Sequence, residues 1–121
     1  MARILVVEDD DAVRALAARA LERLGHAVET ACDGASGLTR IVDNAAAYDL
    51  VLSDIRMPEM DGIQMAMEAV TSFPRLKVML FTGYADQRER AEELDGVIVD
   101  VLLKPFALAE LRDRVERALA A

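Results

Sequence analysis

Asp54 ends an apolar run, Leu50-Val51-Leu52-Ser53, and is followed by Met57-Pro58-Glu59-Met60-Asp61-Gly62. A short apolar run closed by a turn signal reads as a buried strand. The spacing therefore sets a lone carboxylate at the C-terminal tip of a strand, where open α/β sheets hold their ligands. Three other apolar runs close in a similar way: Glu8-Asp9 ends the first, Thr82 the fourth and Lys104-Pro105 the fifth. An aspartyl carboxylate is a weak nucleophile and needs an activated partner. Glu8, Asp9, Asp10 and Asp11 are consecutive, which invites either a helix cap or a divalent cation. Carboxylates crowded round a nucleophile raise one another's pKa and repel anions, and a hard cation such as Mg²⁺ reverses both effects.

The elements that must gather these residues show as an alternation. Five apolar runs, at 4–7, 28–31, 50–53, 78–81 and 97–103, alternate with five helical patterns. In the first helix Val13, Leu16, Ala17, Ala20, Leu21 and Leu24 recur at helical spacing, and Gly25 stops it as a C′ residue. Asp10 or Asp11 can cap its start. Further helices are expected over 34–43, over 62–72 with Pro74 marking the exit, and over 108–120. In the last of these Leu108, Leu111, Val115 and Leu119 form one face. The fourth pattern, 86–94, has only Ala91 and Leu94 as apolar residues, so a poorly anchored, mobile helix is expected. Strand–helix alternation with short connections implies right-handed βαβ units and a parallel sheet covered on both faces.

A chain of 121 residues is one domain's worth and can bury a core. Hydrophobic residues at 54% and charged residues at 30% place it among globular chains and against disorder. No apolar run approaches the roughly 20 residues that cross a bilayer. The start, Met1-Ala2-Arg3-Ile4, runs straight into a strand-like segment with no signal-peptide layout, so no membrane role is expected. The single cysteine, Cys32, cannot form an internal disulfide, which fits a reducing cytoplasm. It is expected to be buried or half-buried at a strand end, with no basic flank to lower its pKa. A net charge of −8 repels nucleic-acid phosphates, so no nucleic-acid partner is expected.

An acid pair, an Asp, a Thr and a Lys, each at a strand end, form one set with the segment from Asp54 to Gly62 and with Lys104-Pro105-Phe106. Over essentially its whole length the chain resembles the receiver domain of bacterial two-component response regulators. The resemblance implies a doubly wound, flavodoxin-like α/β fold, (βα)5, with a five-stranded parallel sheet in the order 2-1-3-4-5. Residues 1–121 would form one receiver domain with no output domain. In that order strands 1 and 3 are neighbours whose connections leave to opposite sides, so Glu8, Asp9 and Asp54 would meet in the crevice.

The resemblance also implies roles. Asp54 would accept a phosphoryl group from a sensor histidine kinase or a histidine phosphotransfer protein. Asp9 and Asp54 would bind Mg²⁺ directly, Glu8 through a water, and the backbone carbonyl of Arg56 would be a further ligand. Lys104 would pair with phosphoryl oxygens as a mobile point charge, and Thr82 would donate its hydroxyl to one. The Lys104-Pro105 bond is expected to be cis. Phosphorylation adds roughly −1.5 to −2 charges, which would draw in Thr82 and Lys104 and move the fourth helix. The face made by the fourth helix, fifth strand and fifth helix would then engage a downstream protein. Such a chain signals and is not an enzyme in its own right.

One departure is plain. Many receivers carry an aromatic residue three positions before the lysine; Val101 stands there, so an aromatic rotamer readout at that position is excluded. Phe106 reads as packing. Tyr84 borders the site and could screen it from water or a phosphatase, and Arg56 flanks the same mouth. His26 reads as a turn residue. A small aspartyl-phosphate phosphatase of haloacid-dehalogenase type would want a second Asp two residues after the nucleophile, where Arg56 stands. A flavodoxin-type cofactor binder would want a Ser/Thr/Gly loop after the first strand, where acids stand instead. The tail, Ala118-Leu119-Ala120-Ala121, reads as a fraying helix end. It also looks like the C-terminal degradation signal read by the bacterial ClpXP protease. Some stand-alone receivers similar to this chain serve as adaptors for that protease in cell-cycle control, which makes ClpXP a candidate partner.

Overall fold

The computed structural model of the chain describes residues 1–44, 47–92, 94 and 96–121. Among the described residues five strands, β1 (Arg3–Val7), β2 (Ala27–Ala31), β3 (Leu50–Asp54), β4 (Val78–Thr82) and β5 (Asp100–Leu103), alternate with five α-helices. The helices are α1 (Asp11–Arg23), α2 (Gly34–Asn44), α3 (Gly62–Ser72), α4 (Ala85–Glu92) and α5 (Leu108–Ala120). All strand pairs are parallel and the order is β2-β1-β3-β4-β5, as expected.

The sheet sorts its side chains by the strand period of two. Ile4 and Val6 of β1 join Leu50 and Leu52 of β3 in a core covered by α1 and α5, through Leu21, Leu111 and Val115. Leu5, Val7 and Val51 point the other way and pack with Ile41 of α2, Met65 of α3 and Ala91 of α4. β3 and β4 are buried along their full length, which is why both read as unbroken apolar runs. Truncating a side chain such as Leu52 to Ala would cost about 2–5 kcal/mol.

The helix over 62–72 and the one over 108–120 fall where the periodicity puts them. At the start of α1, Asp10 and not Asp11 takes the cap: its Oδ1 accepts from the Ala12 and Val13 N–H groups at 2.9 and 3.1 Å. α2 runs one residue further than expected.

Several expectations are corrected. The apolar run 97–103 is not one strand. The N–H groups of Val97 and Ile98 both donate to the Leu94 carbonyl, making a turn, and β5 begins only at Asp100. Leu94 lies past the end of α4, in that turn; position 93 of the expected helix is outside the described residues. Leu16 is 70% exposed because it lies about 100° round the helix from Ala17, at the rim of the stripe formed by Ala17, Ala20 and Leu21. Leu108 is 53% exposed, since the packing of α5 is taken over by Leu111, Val115 and Ala118. Cys32 is exposed, just beyond the end of the edge strand β2. At the tail, where fraying was expected, Lys77 Nζ donates to the carbonyls of Leu119 and Ala121 at 3.0 and 2.5 Å. Among the described residues no helix is long and apolar enough to cross a membrane.

Candidate functional site

Register places the site. Val7 of β1 pairs with Ser53 of β3, so the next residues, Glu8 and Asp54, emerge side by side. Thr82 ends β4 opposite Leu103 of β5, and the Lys104 N–H donates to the Thr82 carbonyl at 2.7 Å. The Lys104-Pro105 bond is cis, as expected. One carboxylate oxygen from each of Glu8, Asp9 and Asp54 lies within 4.8 Å of the others. Glu8 and Asp54 are buried, at 1% and 7% exposure, whereas Asp9 is open to solvent.

Lys104 joins this cluster from the far end of the chain. Its Nζ lies 2.9 Å from Glu8 Oε1, 3.5 Å from Asp54 Oδ2, and 4.7 Å from the centroid of the Phe81 ring. The Ile55 N–H donates to Asp54 Oδ1 at 2.9 Å, and Arg14 Nη1 donates to the Glu8 carbonyl at 3.0 Å. Burial pushes the Glu8 carboxyl up to about 8, the adjacent Asp54 carboxylate adds to the rise, and Lys104 pulls against it. Glu8 Oε2 is buried and has no hydrogen-bond partner among the described residues. A buried oxygen without a donor, in a nest of three acids, is the environment a hard cation resolves, so the donor set fits Mg²⁺.

The loop after Asp54 is wound tightly on the strand that carries it. Glu59 takes a left-handed φ of 65°, and the Gly62 N–H donates to the Ile55 carbonyl at 2.7 Å. A Cβ on Gly62 would stand 2.0 Å from the Asp54 carbonyl oxygen, so only glycine fits there. Asp61 then caps α3 through the Gln64 N–H at 2.8 Å.

Thr82 is fully buried, and its Oγ1 accepts from the Tyr84 N–H at 3.2 Å. Glu8, Asp9, Asp54, Arg56, Tyr84 and Lys104 are among the residues lining an open cavity of about 480 Å³. At its mouth the Arg56 guanidinium lies over the Tyr84 ring, 4.7 Å from the centroid. A larger cavity of about 880 Å³ lies beside the starts of β3 and β4, lined by Val42, Tyr48 and Phe73 among others; it holds none of the residues the sequence marks for chemistry.

The structure thus gathers Glu8, Asp9, Asp54 and Lys104, sets Thr82 on the neighbouring strand tip, and puts Arg56 on the rim. Val101 is buried in β5. Phe106 packs edge-on to Phe81 with centroids 6.1 Å apart, and His26 Nδ1 accepts from the Ala2 N–H at 3.2 Å. Sequence reasoning missed two features. The Lys104–Glu8 pair leaves no local trace. The Asp61 cap does: Asp61-Gly62-Ile63-Gln64 has the spacing of a capping box.

Residues 4–116 match the response regulator receiver domain family. The chain is 39% identical over 121 residues to the response regulator receiver protein CpdR of Brucella abortus (strain 2308), covering 100% of this chain and 99% of that protein. It is 40% identical over 117 residues to the regulatory protein AtoC of Escherichia coli (strain K12), covering 97% of this chain but only 25% of AtoC, a longer protein. The response regulator protein TrrA from Thermotoga maritima, solved in complex with Mg(2+)-BeF, is similar with a TM-score of 0.89 at 30% identity, covering 98% of this chain and 99% of that one. With its strand order, its acidic cluster at the strand tips and these matches, the chain belongs to the receiver domain family of two-component response regulators.

Proposed function

We propose that this chain accepts a phosphoryl group on Asp54 and signals by a change in its protein-binding surface. The observation that carries the proposal is the convergence of three carboxylates and the Lys104 ammonium at the tips of β1, β3 and β5. The donor is a phosphohistidine, on a sensor histidine kinase or a histidine phosphotransfer protein. An Asp54 oxygen attacks phosphorus, the P–N bond breaks, and the imidazole leaves. Phosphoryl transfer of this kind asks mainly for alignment and for neutralisation of oxygen charge. Asp9 and Asp54 would hold Mg²⁺ directly, Glu8 through a water, and the Arg56 backbone carbonyl would complete the protein's share. Bound there, Mg²⁺ offsets the charge on the carboxylates and on the incoming oxygens.

The protein's own groups do the rest. Lys104, already 3.5 Å from Asp54 Oδ2, transfers its ion pair to the phosphoryl oxygens. The Thr82 hydroxyl donates to another, and the Tyr84 N–H it holds moves with it. The segment so displaced leads straight into α4. The partner surface is the face formed by α4, β5 and α5, and the chain acts as a phosphoacceptor in the cytoplasm and not as an enzyme. Tyr84 and Arg56, stacked at the mouth, screen the phosphoryl group from water. The similarity to a receiver protein supports the phosphoacceptor role, and output through this domain's own surface, with the ClpXP protease as the partner it would serve as adaptor, goes with that reading. Incubation with acetyl phosphate and Mg²⁺ followed by intact mass tests the core of the proposal: one phosphoryl adduct is expected in wild type and none in Asp54→Asn.

A further inference from the structure

α4 has little apolar packing to hold it. Ala91 is the one buried side chain among its described residues. Polar ties bind both of its ends. Just before its start, the Tyr84 N–H donates to Thr82 Oγ1. Near its end, Arg90 Nη2 donates to Asp61 Oδ2 at 3.1 Å, and Arg90 Nη1 donates to Gln87 Oε1 at 3.1 Å, which orients the guanidinium.

Asp61 cannot follow α4. Its Oδ1 caps α3 through the Gln64 N–H, and its carbonyl accepts from the Met65 N–H at 3.0 Å. The next residue, Gly62, is pressed against the Asp54 carbonyl, with no space for a Cβ. One partner of the ion pair is therefore fixed to the loop of the phosphoacceptor strand, and the other rides on a helix with a single buried side chain among its described residues.

We propose that the Arg90–Asp61 ion pair is a latch: it holds α4 where the structure has it, with Lys104 still paired to Glu8 and the Thr82 hydroxyl still bonded to the Tyr84 N–H, and so opposes a switch that breaks those contacts. The proposal rests on the reading that phosphorylation of Asp54 moves α4. The side chains of Arg90 and Asp61 are 50% and 28% exposed, so the pair is a surface one. An ion pair of this kind shifts a two-state population by roughly two- to fivefold, about 0.4–1 kcal/mol. That magnitude tunes a switch without locking it, and breaking the pair lowers the cost of reaching the active state.

The test uses the full chain in Mg²⁺, as wild type, Arg90→Ala, Asp61→Asn (which keeps an oxygen to cap α3) and the double variant. Without a phosphoryl mimic, amide exchange over residues 85–92 should quicken about two- to fivefold in each single variant, and no further in the double. Beryllofluoride should bind each single variant tighter by the same factor, and about 1 M salt should bring wild type up to the variants. Unchanged exchange in Arg90→Ala, or effects that add in the double variant, would overturn the latch. A wild type that does not bind beryllofluoride would overturn the phosphoacceptor reading instead, and the exchange comparison would still decide whether Arg90 holds α4.

Discussion

Lys104 Nζ lies 2.9 Å from Glu8 Oε1, although the two residues are 96 positions apart. The pair closes the site across the sheet, from the tip of β1 to the tip of β5. Lys104 supplies one Glu8 oxygen with a cation and favours its charged form, but burial, with the other oxygen lacking a donor among the described residues, outweighs it and favours the protonated form. In the proposed reading, a proton on Glu8 would therefore oppose Mg²⁺ at this cluster.

The first prediction follows from that competition. Folding raises the Glu8 pKa from 4.5 to about 8. Between those values the folded protein binds the extra proton, so metal-free stability should fall as pH rises through this window. Apparent Mg²⁺ affinity should rise over the same window, because deprotonating Glu8 adds a negative charge beside the cation's site. Melts of wild type and Glu8→Gln without metal, from about pH 5 to about pH 8.5, check the sign. Wild type should lose Tm relative to the variant as pH rises; a constant difference contradicts the assignment.

Asp9 and Asp10 are adjacent but should separate cleanly. Asp10 caps α1 through two N–H groups, whereas Asp9 stands in the carboxylate cluster. Asp10→Ala should cost about 1 kcal/mol of stability and leave Mg²⁺ affinity nearly unchanged. Asp9→Ala should do the reverse, weakening Mg²⁺ by tenfold or more, about 1.4 kcal/mol. Metal titration and denaturant unfolding of both variants measure the two effects, and equal Mg²⁺ affinities would remove the distinction.

Gly62→Ala introduces a methyl group where the Asp54 carbonyl oxygen stands 2.0 Å away. The loop must shift, at a cost of about 1–3 kcal/mol. Because that loop packs on the strand end bearing Asp54, phosphorylation should slow as well. Unfolding and labelling rates at wild-type levels would show that the loop is free to adjust.

The edge strand β2 is half-buried and carries Glu29 and Thr30, whereas the tips of β1, β3 and β4 were legible because a buried parallel strand is an apolar run that ends where polar residues begin. Asp54 and Thr82 stand out for that reason. α3 was legible to the residue, from Gly62 at its start to Pro74 beyond its end. β5 was not: Val97 and Ile98 are as apolar as Val101 and Leu102, and only the hydrogen bonds to the Leu94 carbonyl show that a turn comes first. Leu16 and Leu108 match a helical stripe by spacing, but which edge of a stripe meets the sheet depends on how the helix is rolled. Lys104–Glu8 and Arg90–Asp61 depend on topology, so neither pairing has a sequence signal.

Phosphorylation should loosen what Thr82 and Lys104 now hold. Amide exchange should change most over residues 82–92 and around Lys104, where the Tyr84 N–H and the Lys104 N–H are bonded to Thr82. Exchange on protein with and without beryllofluoride measures this. Changes confined to α1 and α2 would count against a switch through α4.

The central claim is that the Asp54 carboxylate is the phosphoacceptor, and intact mass after reaction with a phosphohistidine donor and Mg²⁺ tests it most directly. One phosphoryl adduct should form on wild type, lost on treatment that hydrolyses acyl phosphates and absent from Asp54→Asn. An Asp54→Asn variant labelled as fully as wild type would place the chemistry elsewhere and contradict the assignment.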